Sequence, residues 1–328
     1  AAGGRSVGAR WAGVRGAGPG AAGGAARRRQ LGWGKRKGYE GPIEAPLRPY
    51  VSERISPDGT RLALDSRDGD NDIWVWELAR HTLRRVTFDP RQNMSPVWTP
   101  DSQRVIFTSQ RAGSANLFWH AADGTGIDQR LTTSANAQFP ASVTPDGKQV
   151  LGYEVSQATG ADIVRIALSG ASEKRPAEPL LQTTFTEYNP EISPDGRYLA
   201  YESNESGRFE IYVRPYPRVN DGRWQVSTGG GTRAVWARKG RELIYVDGAA
   251  TLMSVEIQAA GSTFSAGNPA KVFDAKYAMP LAARSYDISP DGQKFLFITD
   301  APGDKRMRAT LVVVEHWYED LKGRLPAK

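Results

Sequence analysis

The chain has 328 residues, enough for one large repeat domain or two ordinary ones, and 39% of them are apolar, with nine Trp, twelve Tyr and ten Phe to build a core. Cysteine is absent, which excludes disulfides, thiolate metal sites and a cysteine nucleophile, and no run approaches the roughly eighteen apolar residues of a membrane span. The net charge of +7 belongs to residues 1–40, which hold nine of the 43 basic residues and one of the 36 acidic ones; 34 and 35 remain elsewhere, so the body is near neutral and nucleic acid is not an expected partner.

Residues 1–30 are expected to form a flexible leader, since Gly and Ala dominate the first forty positions. Two motif matches fall there. Gly4-Arg5-Ser6-Val7-Gly8 has the spacing of a hydrolase elbow, and the run from Gly18 to Gly23 that of a dinucleotide fingerprint. Neither follows a predicted strand or opens a helix, so both are read as accidents of Gly-rich sequence. The chain begins with Ala and shows no apolar signal region, which reads as a processed or excised piece.

Beyond residue 47 one turn recurs: Ser56-Pro57-Asp58-Gly59, Thr99-Pro100-Asp101-Ser102, Thr144-Pro145-Asp146-Gly147, Ser193-Pro194-Asp195-Gly196, a degenerate Ala237-Arg238-Lys239-Gly240, and Ser289-Pro290-Asp291-Gly292. Proline presets φ, aspartate bonds to the backbone two residues on, and glycine takes the left-handed conformation that closes a hairpin. The spacing of 43 to 52 residues is that of propeller blades. Each turn is followed by short β-branched and aromatic runs, such as Leu62-Ala63-Leu64 and Ile73-Trp74-Val75-Trp76, giving four strands per repeat. The expected fold is an all-β propeller of four-stranded antiparallel blades.

The repeats resemble the TolB-type propeller of the WD-like class. Residues 42–327 are further similar to the propeller that follows the kinase domain in many bacterial serine/threonine kinases and to its free-standing relatives. The resemblance rests on the stretch from Tyr188 to Gly207, on Gly222-Arg223-Trp224-Gln225-Val226-Ser227, on Gly240-Arg241-Glu242-Leu243-Ile244-Tyr245 and on the run from Val312 to Leu321. No His-Arg-Asp or Asp-Phe-Gly tripeptide is present, so kinase activity is not carried over. The resemblance implies a seventh blade ahead of the first strong repeat, with Gly32 and Gly34 where apolar residues are expected. A propeller over residues 31–316 is therefore expected, followed by a tail at 317–328, with six clear repeats and a degenerate first blade; six blades is the alternative. Whether residues 31–46 meet a strand at 310–314 decides the count.

Function is expected on the face carrying the loops at 67–71, 110–116, 156–162 and 204–209 and the crossovers between blades. There polar groups surround Phe139, Tyr188 and Phe209, and Arg67, Arg111, Phe139, Glu187, Tyr188, Asn204, Arg233 and Arg284 are the candidate ligand-binding residues. The Asp and Gly residues of the turns (Asp58, Gly59, Asp101, Asp146, Gly147, Asp195, Gly196, Asp291, Gly292) are read as structural. Asp68-Gly69-Asp70-Asn71-Asp72 lacks the glycine and distal glutamate of a calcium loop. Asp72 shares its repeat position with Asn116, Asp162 and Glu210, which fits a side chain that ties down backbone. His81, His120 and His316 are scattered, none beside a nucleophile.

The expected function is accordingly a non-catalytic scaffold that recognises a protein, peptide or glycan, acting as a monomer outside the cytoplasm, with no metal or cofactor. The resemblance to TolB, a periplasmic partner protein, points the same way by analogy. The alternative is a propeller hydrolase or the accessory propeller of a peptidase. Carboxylates or histidines converging in the channel favour the enzyme; a channel of backbone, Ser and apolar groups favours the scaffold.

Overall fold

The computed structural model describes residues 27–302, apart from position 70 and residues 170–174, 261–262 and 275–283. The two leader motifs, His316, residues 310–314 and the tail at 317–328 lie outside the described residues.

Within the described residues, six antiparallel sheets follow one another, five of four strands and one of five. Blade 1 holds Tyr50–Ile55, Arg61–Ser66, Asp72–Glu77 and Thr82–Arg85, from the innermost strand outward. Blade 2 holds Asn93–Trp98, Arg104–Ser109, Asn116–Ala121 and Gln129–Arg130; blade 3 holds Ala137–Val143, Gln149–Ser156, Gly160–Ala167 and Glu178–Leu181. Blade 4 runs Glu187–Ile192, Tyr198–Ser203, Glu210–Pro215 and Trp224–Gln225. In blade 5, Thr232–Ala237 and Glu242–Val246 lead to the long strand Thr251–Ala260, which pairs with both Thr263–Ala266 and Ala270–Asp274.

Blade 6 bears on the expected blade count. Its inner strands Tyr286–Ile288 and Phe295–Asp300 come from the end of the described chain, and its outer strands Arg29–Lys35 and Gly38–Pro42 from the beginning. Register runs from Arg29↔Asp300 to Gly34↔Phe295. The segment expected to be the remnant of a separate blade thus completes the last one, and no seventh sheet stands among the described residues. The glycines expected to mark damage are also accommodated. A Cβ on Gly32 would lie 2.3 Å from the Tyr39 ring, and one on Gly34 2.9 Å from the Phe297 ring, so these positions admit aromatic cover over a bare strand.

Each seam between blades carries its own apolar cluster, as it must when a blade can bury its faces only on its neighbours. Leu31, Tyr50, Leu62 and Leu296 fill the seam between blades 6 and 1, with no exposure. Hydrogen bonds stitch the same seams. Ile55 N–H donates to Asp287 across the closing seam (2.8 Å), and Trp98 Nε1 to the Arg54 carbonyl (2.9 Å). Thr108 Oγ1 donates to the Gln138 carbonyl (2.9 Å), Ser142 Oγ to Pro190 (2.8 Å), Trp236 Nε1 to Glu191 (2.9 Å) and the Tyr286 hydroxyl to Arg233 (2.5 Å).

The repeated turns form as their chemistry dictates. In each of the five full copies the Ser or Thr hydroxyl donates to the Asp carboxylate and accepts the N–H five residues on; at Ser193 these distances are 2.6 and 2.9 Å. Gly59, Gly147, Gly196 and Gly292 sit at φ between 71° and 73°, and Ser102 takes the same place at 59°. The glycine of one turn rests near the proline of the preceding blade's turn, Gly196 on Pro145 and, closing the circle, Gly59 on Pro290.

Candidate functional site

Strand direction places the Pro-Asp turns on one face and the second-to-third-strand loops and crossovers on the other, with the channel between. The residue two before each turn's Ser, Thr or Ala lines the turn-face half of the channel: Arg54, Val97, Ser142, Glu191, Val235 and Asp287. They surround a cavity of about 380 Å3. Carboxylates do converge here, but Arg284 takes both, with Nη1 3.0 Å from Glu191 and Nη2 3.3 Å from Asp287. Arg54 donates to the Arg284 carbonyl at 3.1 Å. Burial pulls the Arg284 guanidinium toward losing its proton, but Glu191 and Asp287 override it and hold the charge. Burial raises Glu191 above the usual carboxylate range, against Arg284 and Arg54, which lower it. The neighbouring Glu53 is fully buried with neither oxygen bonded, and burial pushes its carboxyl well up. Arg284, expected on the loop rim, is therefore a buried member of the channel network with 7% side-chain exposure.

The loop face of blades 3 and 4 gathers the aromatic residues. Phe139 stacks on Tyr153 with centroids 5.0 Å apart and planes at 20°; Tyr153 meets Tyr188 edge-on at 4.9 Å, and Tyr188 reaches Phe209 at 5.9 Å. Phe139, Tyr188 and Phe209 are half-buried, and Phe185 and Val155 add exposed apolar surface in the same sector. Three of the four ring residues were expected on this face. Tyr153 was not, because it sits inside a strand, directly opposite Phe139. Below the rings lies buried Glu202, which accepts from Asn189 Nδ2 (2.7 Å) and from the Arg233 backbone N–H. Burial raises its pKa, partly offset by those two donors.

The remaining candidates are dispersed around the ring. Arg67 is exposed on the blade 1 loop. Arg111 is held within blade 2 by Asp128, Asn93 and Ser109 and lies 4.7 Å over Phe118. Glu187 accepts from Thr183 Oγ1 (2.6 Å), and burial, with Asp162 and Glu205 nearby, lifts its pKa to about 7 against the Thr183 bond. Asn204 Oδ1 caps Thr186 N–H at 2.9 Å, and Arg233 sits at φ 59° at the start of blade 5. The shared acceptor position ties backbone and hydroxyls as expected. Asp72 holds Thr87 at 2.8 Å and Arg85 at 2.6 Å, and Glu210 holds Ser227 and the Gly230 N–H. Asp68, from the calcium-like run, pairs with Arg48. No group of three or more His, Cys, Asp or Glu among the described residues is arranged to hold a metal ion.

A closed ring of antiparallel blades around a channel that holds buried charged residues defines the chain as a β-propeller. It belongs to the TolB propeller family: the sequence profile described as "TolB beta propeller domain" matches residues 49–213. The Tol-Pal system protein TolB of Francisella tularensis is 28% identical over 160 residues, covering 47% of this chain and 35% of that protein. A Bacillus subtilis protein named uncharacterized peptidase YuxL is 24% identical over 153 residues, covering 46% of this chain and 21% of that protein. The chain thus spans about a third or less of these curated relatives. The solved structure of a putative TolB from Agrobacterium tumefaciens has a TM-score of 0.68 at 17% identity, over 85% of this chain and 100% of that one. An oligogalacturonate lyase in complex with manganese reaches 0.53 at 13%, over 85% and 98%. At these identities the structures share the fold.

Proposed function

We propose that this chain is a non-catalytic recognition module that binds a protein partner through the loop face over blades 3 and 4 and acts as a monomer outside the cytoplasm. The observation that carries this reading is the aromatic run from Phe139 to Phe209. Rigid rings with polar surroundings give large contact area at low entropic cost, which is how binding hot spots are built. A glycan is less well served, since Asn189 already donates to Glu202, Asn136 and Gln138 donate to Glu154, and Asn204 accepts the Thr186 N–H. The convergence of Glu191 and Asp287 in the channel is the feature that favours the enzyme alternative. Their ion pairs with Arg284 weigh against it, because that buried guanidinium engages both carboxylates; Glu53 beside them is unpaired.

The test is affinity capture from envelope extract with three baits: the full chain, a Tyr188→Ser/Phe209→Ser variant on the loop face, and a Lys294→Glu variant on the turn face. The reading expects the first and third baits to enrich the same proteins at least tenfold over the second. Equal capture by all three, or loss only with the turn-face variant, overturns it.

A further inference from the structure

At or near the start of each third strand in blades 1 to 4 stands an acceptor, and an arginine accompanies it in three of the four: Asp72 with Arg85, Asn116 with Arg130 at 2.7 Å, and Glu210 with Arg208 at 2.8 Å. Arg85 and Arg130 lie one residue before the apolar residue that ends the fourth strand or follows it, Val86 and Leu131. The corresponding place in blade 3, before Leu181, is Leu180. Asp162 accordingly accepts only from neutral groups, Thr159 Oγ1 and Gln182 Nε2, and its Oδ1 is buried with no partner.

The deficit extends across the seam to blade 4. Glu187 is 2% exposed, bonded through one oxygen to Thr183, with its Oε2 buried and unpartnered. Burial opposes its ionisation most, Asp162 and Glu205 add to that, and the Thr183 bond and the more distant Arg214 work the other way. Glu205 pairs with Arg223 but keeps an unpartnered buried Oε1. Glu202 holds only neutral donors. Buried carboxylates are ordinarily paired, whereas Asp162, Glu187 and Glu202 make no direct side-chain ion pair among the described residues; Arg214 and Arg233 favour the charged forms of Glu187 and Glu202 only from a distance. Beside it stand the rings of Tyr188, Phe209 and Tyr153, whose faces attract cations as well.

We infer that the loop face at the seam of blades 3 and 4 receives a cationic side chain, Lys or Arg, from the partner polypeptide. A metal ion is the weaker occupant, since the carboxylates are not gathered on a single point. A guanidinium or ammonium on a flexible stem can instead lie against a ring and reach one carboxylate. Charge complementarity of this kind sets both specificity and encounter rate.

The inference rests on the recognition reading but fails separately from it: capture of proteins that survives in a Glu187→Gln/Glu202→Gln chain keeps the loop face and removes the cation. The direct experiment titrates the full chain with the peptide Ac-Gly-Arg-Gly-amide and its citrulline counterpart, which keeps the shape and drops the charge. The arginine peptide is expected to bind at least tenfold more tightly, weakening from 0.05 to 0.5 M salt on the order expected for partly screened charge. Leu180→Arg, which supplies the cation blade 3 lacks without removing any carboxylate, is expected to abolish that preference, as is Glu187→Gln/Glu202→Gln. Unchanged melting of the variants guards against misfolding, and either variant alone decides the matter if the other unfolds. Equal affinity for the two peptides, binding of neither, or a preference that survives in the folded variants overturns the inference.

Discussion

Arg284 shows how far a residue's role depends on what surrounds it. In sequence it is a basic residue near the end of a largely apolar crossover; in the structure it is the cation that two channel carboxylates require. Removing one partner of a buried network leaves uncompensated charge, which costs more than the pair contributes. Arg284→Met is therefore expected to destabilise the chain by about 3–5 kcal/mol, measured by denaturant unfolding. Adding Glu191→Gln and Asp287→Asn to the same chain should restore much of the loss. If Arg284→Met proves neutral, the network is not what holds the channel. Asp287 and Glu191 were not legible as channel residues, because a two-residue period does not say which face of an inner strand meets the axis once a bulge intervenes, as it does between Tyr188 and Glu191.

The turn is the element that the sequence displays most openly. Ser-Pro-Asp-Gly carries its own hydrogen bonds, so its geometry owes little to distant residues. Its carboxylates also set the acid limit of stability. Burial alone would raise Asp58, but the Ser56 and Thr60 bonds prevail and hold it at about 2; at Asp101, Asp146 and Asp291 the neighbouring hydroxyl leads, and at Asp195 the Ser193 and Arg197 bonds outweigh burial. A depressed folded pKa contributes stability that is present above the unfolded value near 4 and is lost as pH falls toward 2. Asp65, raised to about 6 chiefly by burial, and Glu187, raised to about 7, act in the opposite sense. The folded chain holds their protons longer, so they erode stability as pH climbs from about 4 to 7. The melting temperature is thus expected to peak between about pH 4 and 5, decline modestly toward pH 8 and drop steeply below pH 3.5. A maximum at neutral pH would contradict these assignments. The strands themselves were legible from β-branched and aromatic runs, whereas the loop-face aromatic run was only partly so, since Tyr153 reads as core until its neighbour across the seam is placed.

Across the whole molecule, local signals give the number of strong repeats but not how they close. Arg29–Lys35 contains three polar residues and two glycines in seven positions and pairs with a strand at the far end of the described chain. No periodicity within either segment announces that pairing, and a family expectation of seven blades pointed elsewhere. What decides it physically is the exposed edge that blade 6 would otherwise present, together with the seam cluster of Leu31, Tyr50 and Leu296 that only a closed ring can bury. The Arg36–Glu242 pair, with contacts of 2.8 and 2.5 Å, fastens the same hairpin to blade 5.

Closure is testable directly because the chain has no cysteine of its own. Gln30 and Thr299 face one another in the pairing of the first and last described strands, whereas Gln30 and Phe295 stand four rungs apart. Under mild oxidation a Gln30→Cys/Thr299→Cys chain should form an intramolecular disulfide in high yield and melt several degrees higher than its reduced form. A Gln30→Cys/Phe295→Cys chain should not. Failure of the first pair to cross-link, or equal cross-linking of both, would contradict a ring closed by the N-terminal strand.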